Sequence, residues 1–102
     1  NLLHRMKKEL DADINISEFS HKAFYNEKLG RVEMHLISDT KQVIKIDSLE
    51  FLFEKGESIH TECSYKYSII EFSELAKKSG FSVLKNWTDK RSLFSIYLMK
   101  AI

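Results

Sequence analysis

The chain has 102 residues, 43% hydrophobic and 12% aromatic, enough apolar side chain for one small packed domain or a piece of a larger one. With 16 basic against 15 acidic residues the formal charge is +1, and the Lys and Arg residues are scattered, so neither nucleic acid nor a membrane is an expected partner. The single cysteine, Cys63, excludes an internal disulfide and a cysteine-based zinc site, and it fits a reducing, cytoplasmic setting.

No apolar run approaches the roughly 18 residues that a membrane span needs. The opening Asn1-Leu2-Leu3-His4-Arg5 carries neither an initiator Met nor a signal peptide, and it already has a helical pattern. It therefore reads as the start of a fragment. Leu2, Leu3, Met6 and Leu10 form an apolar stripe with Lys7, Lys8 and Glu9 opposite, which predicts an amphipathic helix over 2–12. Strands are expected at 19–26 and 31–38 around a Lys28-Leu29-Gly30 turn, then at 42–46 and 49–54. A turn at Gly56 returns the chain into a strand over 58–67. Short runs joined by polar turns predict an antiparallel meander. The period then changes. Ser68 is a helix N-cap, Ile70, Phe72, Leu75 and Ala76 carry a helical stripe, and Gly80 follows Lys77 and Lys78 as the stop. Strands over 81–87 and 93–100 flank the turn at 88–91.

The segment from Gly56 to Tyr67 is the most informative. Period-two alternation puts His60, Glu62, Ser64 and Lys66 on one face and Thr61, Cys63, Tyr65 and Tyr67 on the other. Glu62 and Ser64 then offer a carboxylate and a hydroxyl pointing the same way, suited to a ring N–H and a second polar atom of a small ligand. The alternative is the solvated face of an edge strand. His4, His21, His35 and His60 fall on separate elements without the close spacing of common zinc motifs, so no metal site is expected. Cys63 reads as a core thiol with no adjacent base. Phe51, Phe53, Phe81, Trp87, Phe94 and Tyr97 read as core or interface. Gly30, Gly56 and Gly80 are isolated, so no glycine loop for a nucleotide-like cofactor is available.

The order of motifs resembles the histidine-specific, S-adenosylmethionine-dependent methyltransferases. The residues that carry the resemblance are Asn1-Leu2-Leu3-x-Arg5, Glu9-Leu10-x-Ala12-Asp13, Phe19-x-His21-x-Ala23-x-Tyr25-Asn26 and Arg31-Val32-Glu33-Met34-x-Leu36-x-Ser38. The most specific stretch is Gly56-Glu57-x-Ile59-x-Thr61-Glu62-x-Ser64-x-Lys66-Tyr67. Gly80-Phe81, Trp87-Thr88-Asp89 and Phe94-x-x-x-Leu98 complete it. The resemblance spans the chain. Asp11 departs from it where Gly is usual, and Ile14 where Phe is common.

The resemblance implies an enzyme with a Rossmann-like methyltransferase domain and a substrate lobe, which methylates the α-amino group of histidine three times, toward ergothioneine. It implies that Glu62 and Ser64 hold the substrate imidazole and that Met34 lines the same pocket. S-adenosylmethionine would be bound by the missing upstream domain. The expected class is α+β: an antiparallel strand meander of the substrate lobe over 1–67, then the last helix and two strands of the methyltransferase sheet over 68–102. The fragment alone is expected to be inactive and to self-associate. The alternative is a stand-alone, non-catalytic binding or oligomerisation module.

Overall fold

The computed structural model describes residues 2–102. Asn1, the first position of the N-L-L-x-R motif, lies outside the described residues. The chain divides into two compact units, one up to Tyr65 and one from Lys66 to Ile102.

In the first unit, helix α1 spans Leu2–Leu10. It stops two residues short of the predicted end because Asp11 takes φ 51°, in the left-handed region, where Asp is tolerated better than most side chains. This is the position at which the resembled family has Gly. Beyond it the chain runs extended: Asp13 N–H donates to the Lys45 carbonyl (2.8 Å), and Lys45 N–H donates back to the Asp13 carbonyl (3.2 Å). Ala12 and Ile14 thereby enter the core with Leu3 and Ile44, flanked by Met6, Ile16, Phe19, Leu36, Ile46 and Phe53. Of the helix stripe, Leu3 is buried and Met6 half-buried, while Leu2 and Leu10 are exposed. Each fully buried Leu or Ile contributes about 1.5–3 kcal/mol.

Five strands follow: β1 (Phe19–Asn26), β2 (Arg31–Ser38), β3 (Gln42–Ile46), β4 (Leu49–Phe53) and β5 (Ser58–Tyr65). All pair antiparallel, as the α+β class requires, but they do not form one continuous meander. One sheet has the order β1-β2-β5, and β3 and β4 form a separate two-stranded sheet. The Gly56 turn does not close a hairpin on β4. Gly56, at φ 89°, donates its N–H to the Ser38 carbonyl (2.8 Å), and Ser38 N–H donates to the Glu57 carbonyl (2.8 Å). These bonds return the chain to the end of β2, so β3 and β4 form an excursion between paired strands. Ser38 is fully buried, donates to the Thr40 carbonyl and accepts from Gln42 Nε2, so no buried hydroxyl is left unpaired at this junction.

In the second unit, helix α2 spans Ile69–Lys78 behind a capping box. Glu71 N–H donates to Ser68 Oγ (3.2 Å), and Ser68 N–H donates to Glu71 Oε2 (2.7 Å). The bond from Ser68 N–H, foremost, holds the Glu71 carboxyl below its ordinary value. Gly80, at φ 85°, ends the helix. Strands β6 (Phe81–Thr88) and β7 (Ser95–Ala101) form an antiparallel hairpin, and Tyr97 packs on Phe72 of α2 at 4.2 Å between ring centroids. Of the six aromatics read as core or interface, Phe53 and Tyr97 are half-buried; Phe51, Phe81, Trp87 and Phe94 are exposed.

Candidate functional site

The site is built by an irregularity in the β2–β5 ladder. Met34 pairs with Glu62, but the next residue of β2, His35, pairs with His60. Thr61 is therefore an extra residue, a β-bulge, and its Oγ1 donates to the Met34 carbonyl (3.1 Å). Ladder partners share a face of the sheet, so the bulge divides β5. Glu62 and Ser64 lie with Met34 and Val32. His60 moves to the opposite face, beside His35. Strict alternation had placed His60 with Glu62, and the bulge overturns that.

On the Glu62 face, Leu2 of α1, His21 of β1, Met34 and Leu36 of β2, and Thr61 and Glu62 of β5 line a cavity of about 270 Å³. Its walls are largely aliphatic and thioether, with one carboxylate, one imidazole and one hydroxyl among them. None of the hydrogen bonds or ion pairs among the described residues engages the Glu62 carboxylate, so it is available to accept from a ligand N–H. Met34 and Glu62, which the resemblance places in one pocket, are direct ladder partners. Ser64 pairs with Val32 on the same face, one step beyond the residues that line the cavity. The sequence reading did not single out His21 or Thr61 as lining residues. Both occur within the quoted motifs, but no local pattern aims them at Glu62.

The opposite face is polar rather than apolar, which corrects the reading of Cys63 as a core thiol. Cys63 pairs with Glu33 and is exposed. Glu33 is buried in the central strand. It accepts from Asn26 Nδ2 (2.8 Å) and Arg31 Nε (2.9 Å) on Oε2, and His35 Nε2 lies 3.0 Å from Oε1. The bond to His35, then those to Arg31 and Asn26, hold the Glu33 carboxyl down to about 2. Arg31 also donates to Tyr65 Oη (2.8 Å), which fixes its guanidinium plane.

A sequence profile of the family described as histidine-specific methyltransferase, SAM-dependent, matches residues 1–101. The chain is 30% identical over 100 residues to a histidine N-alpha-methyltransferase of Mycobacterium tuberculosis and 31% identical over 100 residues to one of Mycolicibacterium smegmatis. Each alignment covers 96% of this chain and 31% of the relative. An L-tryptophan methyltransferase of Psilocybe serbica is 26% identical over 87 residues, covering 84% of this chain and 24% of that protein. The chain thus spans about a quarter to a third of the length of the curated relatives it matches.

Proposed function

The chain belongs to the histidine-specific, SAM-dependent methyltransferase family, and from that premise we propose that it is the C-terminal part of an enzyme that methylates the α-amino group of histidine. Residues 1–67 belong to the substrate lobe, and residues 68–102 supply the last helix and strand pair of the methyltransferase domain. In this reading the substrate imidazole enters the cavity beside Met34. Glu62 accepts its N–H, and the Ser64 hydroxyl donates to the other ring nitrogen. An amino acid without a ring N–H would leave the Glu62 carboxylate desolvated and unpaired, a penalty worth several powers of ten in discrimination. The segment contributes positioning: methyl transfer asks for a neutral amine held in line with the sulfonium carbon. Successive transfers would lead to the trimethylated amino acid, toward ergothioneine. A cytoplasmic setting rests on the free thiol of Cys63, and no described helix is long and apolar enough to cross a membrane.

The observation that carries the reading is the Met34–Glu62 ladder pair in the wall of a cavity sized for a small ring. Gly30, Gly56 and Gly80 are isolated, so the segment offers no glycine loop to cradle S-adenosylmethionine. The cofactor is accordingly assigned to residues outside the segment, and calorimetry of the isolated chain with S-adenosylmethionine is expected to show no binding. The substrate is tested with the full-length protein, S-adenosylmethionine and either histidine or tryptophan, with products read by mass spectrometry. Methylated histidine is expected. Methylated tryptophan alone, or no methylated amino acid, overturns the reading.

A further inference from the structure

Behind the cavity, Glu33, His35 and His60 converge. Glu33 is 6% exposed, and Asn26 and Arg31 both bind its Oε2, which leaves Oε1 toward the imidazoles. His35 Nε2 lies 3.0 Å and His60 Nε2 4.0 Å from Oε1. One ligand atom from each of the three residues falls within 4.8 Å of the others. The His35 ring is held between Phe24, at 5.3 Å, and His60, at 4.5 Å, in stacked geometry.

We propose that Glu33, His35 and His60 bind a first-row divalent cation of borderline hardness, with Zn²⁺ as the representative. Two imidazole nitrogens and a carboxylate oxygen are a donor set suited to such ions, and three protein ligands leave a coordination position open to water. The surroundings supply what a metal site needs beyond its ligands. Asn26 and Arg31 orient the carboxylate through its other oxygen, and Phe24 fixes the plane of one imidazole. Ligand atoms about 2 Å from a shared ion lie roughly 3–3.5 Å apart, so His60 has to close in by about an ångström. It is the most exposed of the three and stands beside the bulge. Its Nε2 now contacts the Glu62 carbonyl at 3.0 Å, and that bond is exchanged for the ion. The ion takes the place of the proton between His35 and Glu33. The Arg31 charge opposes the ion, but its guanidinium is bound to the far oxygen and to Tyr65.

The test is calorimetric titration of the chain with Zn²⁺ near neutral pH, paired with the absorption spectrum of the Co²⁺ form. One site per chain is expected, with a visible Co²⁺ band of low-coordinate geometry. His60 lies at the surface, so His60→Asn is expected to keep the fold, as checked by circular dichroism, and to weaken Zn²⁺ at least about tenfold. His35→Gln should do the same with greater loss, and His4→Gln should leave Zn²⁺ affinity unchanged. Absence of saturable binding, or a site that survives His60→Asn or disappears with His4→Gln, overturns the proposal.

Discussion

His60 and Glu62 stand two residues apart on β5 yet project from opposite faces of the sheet. His60 stacks on His35 at 4.5 Å, whereas Glu62 sits across the ladder from Met34 in the cavity wall. Thr61 is the cause, because it occupies the strand without a ladder partner. One residue thus separates an imidazole–carboxylate cluster on one face from a candidate ligand pocket on the other. The Glu62 carbonyl, which faces His60 Nε2, joins the two through the main chain.

Deleting Thr61 is expected to preserve both faces. The ladder then runs Met34–Glu62 and His35–His60 with no extra residue, and the direct loss is the hydroxyl bond to the Met34 carbonyl, worth about 1 kcal/mol. Deleting Cys63 is expected to be far more damaging. It brings Glu62 opposite Glu33, on the wrong face and against a like charge. Denaturant unfolding and amide spectra of the two deletions provide the comparison. Equal damage from both would mean that Thr61 is an ordinary ladder residue.

Strand and turn positions were legible because they rest on local signals. Alternation bounded by polar turns located β1, β2 and β3 at their ends, and Ser68 and Gly80 bracketed α2. The shared face of Glu62 and Ser64 was legible for the same reason, since both lie on the C-terminal side of the bulge. The position of His60 was not, because a bulge is set by register against a partner strand remote in sequence. The exposure of Cys63 follows from the same register: its partner is Glu33, so an alternation that looked apolar faces a charged cluster. The pairing of β5 with β2 instead of β4 depends on the Gly56 and Glu57 bonds to Ser38, which no periodicity encodes. The end of α1 turned on a single residue, Asp11, whose left-handed backbone breaks an otherwise continuing stripe.

Asp89 gives the β6–β7 loop an acid-sensitive closure. Its carboxylate accepts main-chain N–H groups from Phe94 (3.1 Å), Leu93 (2.6 Å) and Arg91 (3.2 Å), with the bond to Phe94 the largest influence, and these hold its pKa below the ordinary value. A depressed folded pKa means that the stabilisation is complete above the unfolded value of about 3.9 and is lost as pH falls through the folded one. Amide resonances of Leu93 and Phe94 should therefore move only below about pH 4, and Asp89→Ala should abolish that transition and speed their exchange. A transition centred at or above the ordinary Asp value would contradict the assignment.

Self-association of the isolated chain is expected through the β6–β7 hairpin. Ladder pairing puts Trp87 with Ile96 and Lys85 with Leu98 on the face away from Tyr97, which packs on α2. Trp87, Ile96 and Leu98 are all exposed. A two-stranded sheet also has unpaired edges, which recruit a second chain. Light scattering during gel filtration should report a dimer or larger, and Ile96→Lys with Leu98→Lys should return it to monomer. A clean monomer of the unaltered chain at high concentration would dispose of this expectation.

The pocket assignment makes the sharpest demand. In the full-length protein, Glu62→Ala removes the acceptor proposed for the imidazole N–H, and a hydrogen bond to a charged group is worth about 1.5–3 kcal/mol. The expected loss in kcat/KM for histidine is thus about ten- to a hundredfold. Ser64→Ala should cost less, since its bond is neutral and Ser64 stands one ladder step beyond the cavity lining. Affinity for S-adenosylmethionine should hardly move, because neither residue is assigned to the cofactor. Steady-state kinetics with histidine, together with cofactor titration of each variant, separates substrate recognition from general damage to the fold. Wild-type kcat/KM in both variants would make Glu62 and Ser64 no more than the solvated face of an edge strand.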